Sequence, residues 1–275
     1  MGKKLVYLLF LLAAPAFGQT PIHMLTSQSE VRVAGGSDSP GTTDMIAAWE
    51  FESGALLDDS HAAHTLTNGS SMGGSDCSSS ATNAIVGNAA NCNGNDFFMG
   101  MTSAQSNDIQ FGNESFSVAV WFYPAAHSAT TENSLAVYDG TDNWELQHDN
   151  DDAGKCRVRI SDQTIVTTSV CDVTNIGAAA TMNFYTFWYD ADNDEVCIEV
   201  NDSGSPVCGA NSTGMNASVD VAFCIGSEAT STTACNTSGE DNGYWDQLFI
   251  FGDVLTSAER TWLYNSGSGR TYADL

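Results

Sequence analysis

A lone carboxylate stands near the start of the last long apolar run of the chain, "GYWDQLFIFG". Strict strand alternation predicts that Asp246 shares the core-facing side with Leu248 and Ile250. A carboxylate buried there is strongly unfavourable unless it has a partner. A bound cation, a cap of backbone amides or a solvated position at the rim of the fold would each satisfy it. The residues alone leave all three arrangements open.

Eight cysteines are the second group with defined chemistry, and they allow 105 pairings. Two of the consecutive pairs enclose hairpin-like runs, "RVRISDQTIVTTSV" and "IEVNDSGSPV". A cysteine at each foot of a hairpin places two sulfur atoms on facing strand positions. No Cys-x-x-Cys motif and no neighbouring histidine points to a metal site instead. The sequence therefore predicts disulfides between consecutive cysteines: Cys77 with Cys92, Cys156 with Cys171, Cys197 with Cys208, and Cys224 with Cys235.

Catalytic chemistry finds little support among these residues. Glycosidic hydrolysis needs two carboxylates aimed into one cleft, and the Glu-x-Asp-x-x-Glu strand that would supply them is absent. No intact Gly-x-Ser-x-Gly elbow is present.

His61 and His64 are spaced three apart, but no helix pattern supports a zinc site there. The acidic run at 190–201 lacks the glycine and the final glutamate of a calcium loop, and a hairpin turn explains it better. We predict that the protein is not an enzyme.

Short apolar runs separated by Gly, Asn, Asp and Ser fill the chain from Met45 onward. This spacing, with a single helix, is typical of an all-β sandwich. The polar segments 67–95 and 227–243 are predicted to be surface insertions. The helix should begin after Leu255, because Thr256 and Glu259 form a capping box, and it should stop at Gly267.

Five segments in this order carry a family resemblance: "MIAAWEFESGALLDDS", "FSVAVWFYP", "FYTFWYDADNDEVCIEVND", "FCIGSE" and "GYWDQLFIFGDVLTSAERTWLY". Together they resemble the laminin-G-like, concanavalin A-like jelly-roll domains of many secreted bacterial proteins. The resemblance covers residues 45–272, and the closing segment is its most specific part. It implies an antiparallel two-sheet jelly-roll sandwich with one short C-terminal helix. Because this fold carries lectins, hydrolases, adhesion modules and structural units, it does not by itself fix a function.

The resemblance also implies a calcium ion at the rim of the sandwich. Its matching ligands here are Asp59, with Asp58 beside it, and Asp246. Calcium prefers such hard oxygen ligands and would neutralise the acid in the last strand. Relatives usually carry Gly and Asn after the first acid, whereas this chain has His-Ala-Ala at 61–63.

Three aromatic residues of the last strand, Trp245, Phe249 and Phe251, are expected on the face opposite Asp246. Exposed there, they would form a sugar-stacking platform or a protein interface. The alternative is that a loop or the N-terminal extension covers them.

The N-terminus predicts export from the cell. Residues 1–18 have the basic start, short apolar stretch and small residues of a signal peptide, and an apolar stretch of this length is too short to cross a bilayer. Residues 19–42 read as an N-terminal extension or linker, and residues 43–275 as one laminin-G-like domain. Removal of Lys3 and Lys4 leaves six basic residues against 34 acidic ones, a net charge of −28. Such a field disfavours nucleic acid and anionic membrane as partners.

These observations predict a secreted, non-catalytic binding or adhesion module, stabilised by calcium, that recognises a glycan or a surface protein. The alternative is a structural subunit of an extracellular filament, matrix or virion. In that case the N-terminal extension would pair with the open sheet edge of a neighbouring copy.

Overall fold

The computed structural model describes residues 38–92, 97–124, 132–138, 143–149, 155–161, 167–172, 181–211, 221–236 and 243–275. The predicted signal peptide and most of the predicted extension lie outside these ranges, so both remain predictions. Residues from Asp38 to Leu275 belong to one compact unit.

The described residues contain sixteen strands and one α-helix. In chain order these are β1 (Met45–Trp49), β2 (Thr67–Asn68), β3 (Ser75–Asp76), β4 (Ser78–Ser80), β5 (Ala89–Asn91), β6 (Phe97–Met101), β7 (Phe116–Pro124), β8 (Glu132–Tyr138), β9 (Asn143–Asp149), β10 (Lys155–Ser161), β11 (Thr167–Asp172), β12 (Asn183–Asp190), β13 (Glu195–Val200), β14 (Val207–Ala210), β15 (Phe223–Ile225), β16 (Gly243–Phe251) and α1 (Ser257–Tyr264).

The strands form two sheets. Sheet 1 has the order β14-β13-β12-β7-β16-β5-β4, with β1 also paired to β16, and every pair is antiparallel. Sheet 2 has the order β11-β10-β9-β8-β15-β6-β2, and β3 adds the one parallel pair of the described strands, to β6. The predicted all-β sandwich with a short C-terminal helix is confirmed. The prediction that 67–95 is only a surface insertion is wrong, because β2 to β5 lie within it.

The two sheets enclose the main core. Large side chains from both sheets meet there, and the biggest are completely buried, among them Trp49, Trp144, Trp245, Phe116 and Phe187. A second apolar cluster lies on the outer face of sheet 1, where residues of β1, β7, β12 and β16 pack against the chain that follows Phe251. Sheet 1 is therefore buried on both faces over most of its centre, which explains the nearly continuous apolar runs of β7, β12 and β16.

A β-bulge in β16 corrects the strand parity expected from the sequence. The register with β7 shifts between Asp246 and Phe249, and Gln247 adopts a left-handed backbone with φ of 48°. The extra residue turns Trp245 toward the inter-sheet core together with Leu248. Asp246 therefore lies on the same face of β16 as Phe249, and not on the core-facing side with Leu248.

Helix α1 closes the outer face of sheet 1. Its capping box is confirmed: the Thr256 hydroxyl accepts from the Glu259 amide, and the Glu259 carboxylate accepts from the Thr256 amide at 2.7 Å. The helix ends at Tyr264, three residues before the predicted stop at Gly267, and is capped by Asn265 in the left-handed region. Asn takes the place of Gly here because it tolerates that conformation best among the other residues.

Three of the four predicted disulfides are confirmed. Cys197 faces Cys208 directly across the β13–β14 hairpin, and the bonded pairs are Cys77–Cys92, Cys197–Cys208 and Cys224–Cys235. The fourth pair depends on the side chain of Cys171, which lies outside the described residues, so it stays a prediction. The strand register places Cys171 opposite Arg157, one position from Cys156.

Within the described residues, the structure contains no helix long and apolar enough to cross a membrane.

Candidate functional site

The first acid of the predicted metal site is enclosed by hydrogen-bond donors. Asp59 has a fully buried side chain. Its Oδ1 accepts from the amides of Ala48 and His61 at 2.9 and 2.8 Å, and its Oδ2 lies 2.7 Å from Nδ1 of His64. Burial alone would raise the pKa of this carboxyl, but the hydrogen bonds from His64 and the backbone outweigh it and lower the pKa. Asp59 is therefore a buried, ionised and fully partnered carboxylate.

His64 bridges two carboxylates. Its Nδ1 binds Asp59, and its Nε2 lies 2.7 Å from Oδ2 of Asp108, in the turn before β7. Hydrogen bonds to Asp108 and Asp59 raise the pKa of His64 to about 9. The imidazole is consequently a cation at neutral pH, and it joins the loop after β1 to the loop before β7. Sequence reasoning missed this pair, because Asp108 is 44 positions away from His64.

The second acid of the predicted metal site has separate partners. Asp246 is fully buried, and its Oδ2 accepts from the amides of Ile85 and Val86 at 2.7 and 3.0 Å. Burial raises the pKa of Asp246 to about 7, although the two amides and Gln247 oppose the shift. Its position between β1 and β5, where β16 bulges, allows the 85–86 segment to reach it. This matches the amide cap that the sequence left open.

These contacts do not favour a calcium ion held jointly by Asp58, Asp59 and Asp246. The Asp59 oxygens already face N–H donors, and a metal ion would have to displace the His64 cation from one of them. Each of the two buried acids has its own amide partners on different segments. The His-Ala-Ala sequence at 61–63, where relatives carry Gly and Asn, agrees with this arrangement. The calcium site remains a prediction from the resemblance alone.

Two measurements can distinguish the His64 imidazole from a metal ion as the partner of the Asp59 carboxylate. We expect His64→Ala to lower the free energy of unfolding by about 1.5–3 kcal/mol, because a buried carboxylate loses a charged hydrogen-bond partner. His61→Ala, in the same loop but outside the bridge, is the matched control and should have a much smaller effect. Thermal unfolding of the wild type with and without EDTA completes the test. An unchanged Tm is expected. A fall of several degrees on chelation would instead support the predicted calcium site.

The predicted aromatic platform of the last strand is buried. Trp245 is fully enclosed in the core, and Phe249 and Phe251 are each only 2% exposed. The two phenylalanines lie in the outer cluster together with Leu255 and Leu263. The alternative named a loop or the N-terminal extension as the cover. Instead, Trp245 lies in the core between the sheets, and the C-terminal segment that includes α1 covers Phe249 and Phe251. These three residues offer no exposed surface for a ligand.

An exposed aromatic pair does lie further along the same outer face. Tyr244 pairs with Tyr123 of β7, and the two rings meet edge to face with centroids 5.4 Å apart. Both side chains are partly exposed. On the other side Tyr244 pairs with Asn91 of β5, which pairs with Ser78 of β4. We call these four cross-strand partners, Tyr123, Tyr244, Asn91 and Ser78, the tyrosine row.

The tyrosine row combines two kinds of contact. Its partly exposed rings offer apolar faces, and the amide and hydroxyl beside them offer hydrogen-bond donors and acceptors. Four strands at about 4.8 Å spacing make the row roughly 14 Å long. It contains no carboxylate and no histidine, so the row itself carries no acid or base for hydrolysis. The row was missed from the sequence because alternation without the bulge at Gln247 assigned the outward positions of β16 to the wrong residues.

Comparison with known proteins gives structural matches only. No family model matches the chain, and no curated protein matches it. Among solved structures, domain 4 of an extracellular GH43 arabinanase from Geobacillus stearothermophilus, in complex with arabinotriose, has a TM-score of 0.58 and 15% identity. That alignment covers 82% of this chain and 98% of the domain.

Binding domains of botulinum neurotoxins are similar too. The serotype D ligand-binding domain in complex with N-acetylneuraminic acid has a TM-score of 0.58 and 12% identity over 81% of this chain and 50% of that one. The neurotoxin DC binding domain in complex with rat synaptotagmin II has a TM-score of 0.57 and 11% identity over 81% and 51%. The chain thus spans about half the length of these toxin domains. At such identities the similarity shows the fold.

Proposed function

We propose that this protein is an exported carbohydrate-binding module of the laminin-G-like type that holds a glycan on the tyrosine row. The observation that carries the proposal is the row itself, with two partly exposed rings aligned across adjacent strands beside an amide and a hydroxyl. Stacking on rings and hydrogen bonding to hydroxyls are the two contacts that a sugar needs. The structural neighbours with arabinotriose and N-acetylneuraminic acid support this ligand class.

Two further parts of the proposal are that the protein is exported and that it is not catalytic. Three disulfides favour an oxidising compartment. Hydrolysis of a glycosidic bond requires carboxylates placed on either side of it, and the tyrosine row has none. Two of the similar solved structures are named as binding domains or ligand-binding domains. In this proposal the protein binds its ligand without cleaving it.

Charge narrows the class of glycan. The chain carries 34 acidic residues and only 8 basic ones, and a field of that sign repels anions. A neutral oligosaccharide is for this reason a better ligand than a sialylated one. The structural-subunit alternative depends on residues 19–42, most of which lie outside the described residues, and it stays a prediction.

Alanine substitutions in the tyrosine row test the proposed carbohydrate binding. We expect Tyr123→Ala and Tyr244→Ala each to weaken the binding of a neutral oligosaccharide such as arabinotriose by about 10-fold or more, a loss of about 1.4 kcal/mol. Tyr123→Phe is the matched control, because it keeps the ring and should keep most of the affinity. Trp262→Ala removes a partly exposed ring elsewhere and should have no effect. Isothermal titration measures all four, and unchanged binding in both alanine variants would exclude the row.

A further inference from the structure

The polar half of the tyrosine row comes from a short hairpin at the edge of sheet 1. We call residues 78–91, which comprise β4, the connecting segment and β5, the polar hairpin; it supplies Ser78 and Asn91, which face each other at its open end. Its strands pair over three positions, and β5 pairs with β16 over two. Among the described strands, β4 has no neighbour on its other side. A two-stranded hairpin of this length is marginal by itself, so its position depends on further contacts.

Asp246 holds the segment that connects the two strands of the polar hairpin. It lies two positions after Tyr244 in β16, and both side chains are on the outer face of sheet 1. Its Oδ2 accepts from the amides of Ile85 and Val86 at 2.7 and 3.0 Å. Because the Asp246 side chain is fully buried, water does not compete for these hydrogen bonds, which are stronger inside a protein than in solvent.

A second carboxylate holds the same connecting segment from the loop after β1. Oε2 of Glu52 accepts from the backbone amide and from the side-chain amide of Asn88, each at 3.2 Å. The Glu52 carboxylate also lies directly against Gly87, where an added Cβ would collide with it. Gly87 has a left-handed backbone with φ of 57°, which glycine adopts most easily. The connecting segment is thus fixed by two acids, one from β16 and one from the loop after β1.

The open end of the polar hairpin is fixed by a covalent bond. Cys77 and Cys92 flank the hairpin and form a disulfide with Cα atoms 4.6 Å apart. Both cysteines are buried in the core, and the amide of Cys92 donates to the carbonyl of Gly243 at 2.9 Å. Since neighbouring residues of a strand point to opposite faces, the inward cysteines turn Ser78 and Asn91 outward. With this end fixed by the disulfide, the alignment of the rest of the hairpin depends on the two acids.

We propose that Asp246 and Glu52 are positioning residues for the tyrosine row: they hold the polar hairpin where its two polar side chains reach the same ligand as the tyrosine rings. This role rests on the proposed function, because it concerns the same row. Without the amide contacts, the hairpin would spend part of its time out of line with β16. Affinity falls in proportion to the fraction of the protein that is competent to bind, so alignment for about one-fifth of the time means about 5-fold weaker binding.

Isothermal titration of the intact chain with arabinotriose tests this role, at a temperature where circular dichroism shows each variant to be folded. We expect Asp246→Ala to weaken binding by about 5-fold. Asp246→Asn should stay within about 2-fold of the wild type, because its amide oxygen can still accept from Ile85 and Val86. His64→Ala, which removes the partner of a different buried acid, is the control for lost stability and should leave binding unchanged.

A double variant provides a readout that a merely structural role would not change. Ser78→Ala with Asn91→Ala removes the polar half of the row and keeps the backbone of the polar hairpin. In this background Asp246→Ala should cause no further loss of affinity, because the hairpin acts on the ligand only through those two side chains. A general weakening of the fold would instead reduce affinity by the same factor in both backgrounds.

The outcomes separate this role from the proposed function. Unchanged binding in Asp246→Ala, or an equal loss in both backgrounds, overturns the positioning role and leaves the tyrosine row intact. Should Asp246→Ala fail to fold, Glu52→Ala takes its place in the same comparison, with an expected loss of about 3-fold. If the wild type binds no saccharide, or if Tyr123→Ala and Tyr244→Ala both bind as the wild type does, the proposed function is wrong and the positioning role fails with it.

Discussion

Replacing Glu199 by alanine is expected to lower the free energy of unfolding by about 3–5 kcal/mol. Glu199 Oε2 accepts from Nε of Arg260 at 2.7 Å, and the two side chains are only 2% and 9% exposed. Arg260 also donates to the Leu255 carbonyl and lies over the Trp188 ring, 4.2 Å from its centroid. Without its carboxylate, the guanidinium is left as an uncompensated buried charge. This pair joins α1 to β13, so its loss should loosen the C-terminal cover of sheet 1.

A double variant separates the pair from its surroundings. Replacing both members by apolar residues, Glu199→Ala with Arg260→Met, should recover much of the loss, because an apolar pair avoids burying a lone charge. Thr261 lies on the same helix as Arg260, and its hydroxyl donates an exposed hydrogen bond to Asp202. Thr261→Ala should therefore change stability by no more than about 0.5 kcal/mol. Urea unfolding followed by near-UV circular dichroism measures these changes. A loss below 1 kcal/mol for Glu199→Ala would contradict the structural role assigned to the pair.

Thermal stability should be highest in mildly acidic solution and fall by more than about 10 °C between pH 5 and pH 9. Burial raises the pKa of Asp246 and of Glu145 to about 7, so between about pH 4 and pH 7 the folded state binds more protons than the unfolded one. Stability then decreases as pH rises, by up to about 1.4 kcal/mol per pH unit for each group. About 2–4 °C per kcal/mol is usual for a protein of this size.

His64 extends the same trend to higher pH. Its folded pKa of about 9 lies above the ordinary value of 6.5, so the stability it contributes is complete below pH 6.5 and is lost as pH rises through 9. Asp59 acts in the opposite sense, because its lowered pKa gives stability that disappears only in stronger acid. Asp246→Asn should flatten the Tm profile between pH 5 and 7, and His64→Gln should flatten it between pH 7 and 9. A Tm that rises from pH 5 to pH 8 would contradict these assignments.

The architecture could be predicted from the sequence because its signals are local. Short apolar runs with polar turns mark strands, and the Thr256–Glu259 capping box marks the helix. The Cys197–Cys208 pair was predictable since both cysteines flank one hairpin. Each of these features depends on residues within about a dozen positions of each other. Strands β2 to β5 were missed because they are two or three residues long and rich in Ser, Asn and Ala.

The candidate site was harder to predict, because its position depends on one residue. Gln247 adopts a left-handed backbone, a conformation that Gln has no special preference for, and nothing in the sequence signals the bulge. Without it, alternation assigns Trp245, Phe249 and Phe251 to one exposed face. With it, Trp245 enters the core and the outward aromatic position passes to Tyr244. The His64 bridge was hidden for another reason, since its partner Asp108 is distant in sequence and near only in the fold.

The central claim is that the outer face of sheet 1 binds a glycan at the tyrosine row. The most direct measurement is a titration of the isotope-labelled protein with arabinotriose, followed by nuclear magnetic resonance with the backbone assigned. We expect concentration-dependent shifts at Tyr123, Tyr244, Asn91 and Ser78. In Tyr244→Ala, the shifts at the other three residues should require about 10-fold more arabinotriose. A panel of neutral and sialylated oligosaccharides that leaves these four residues unperturbed would contradict the claim.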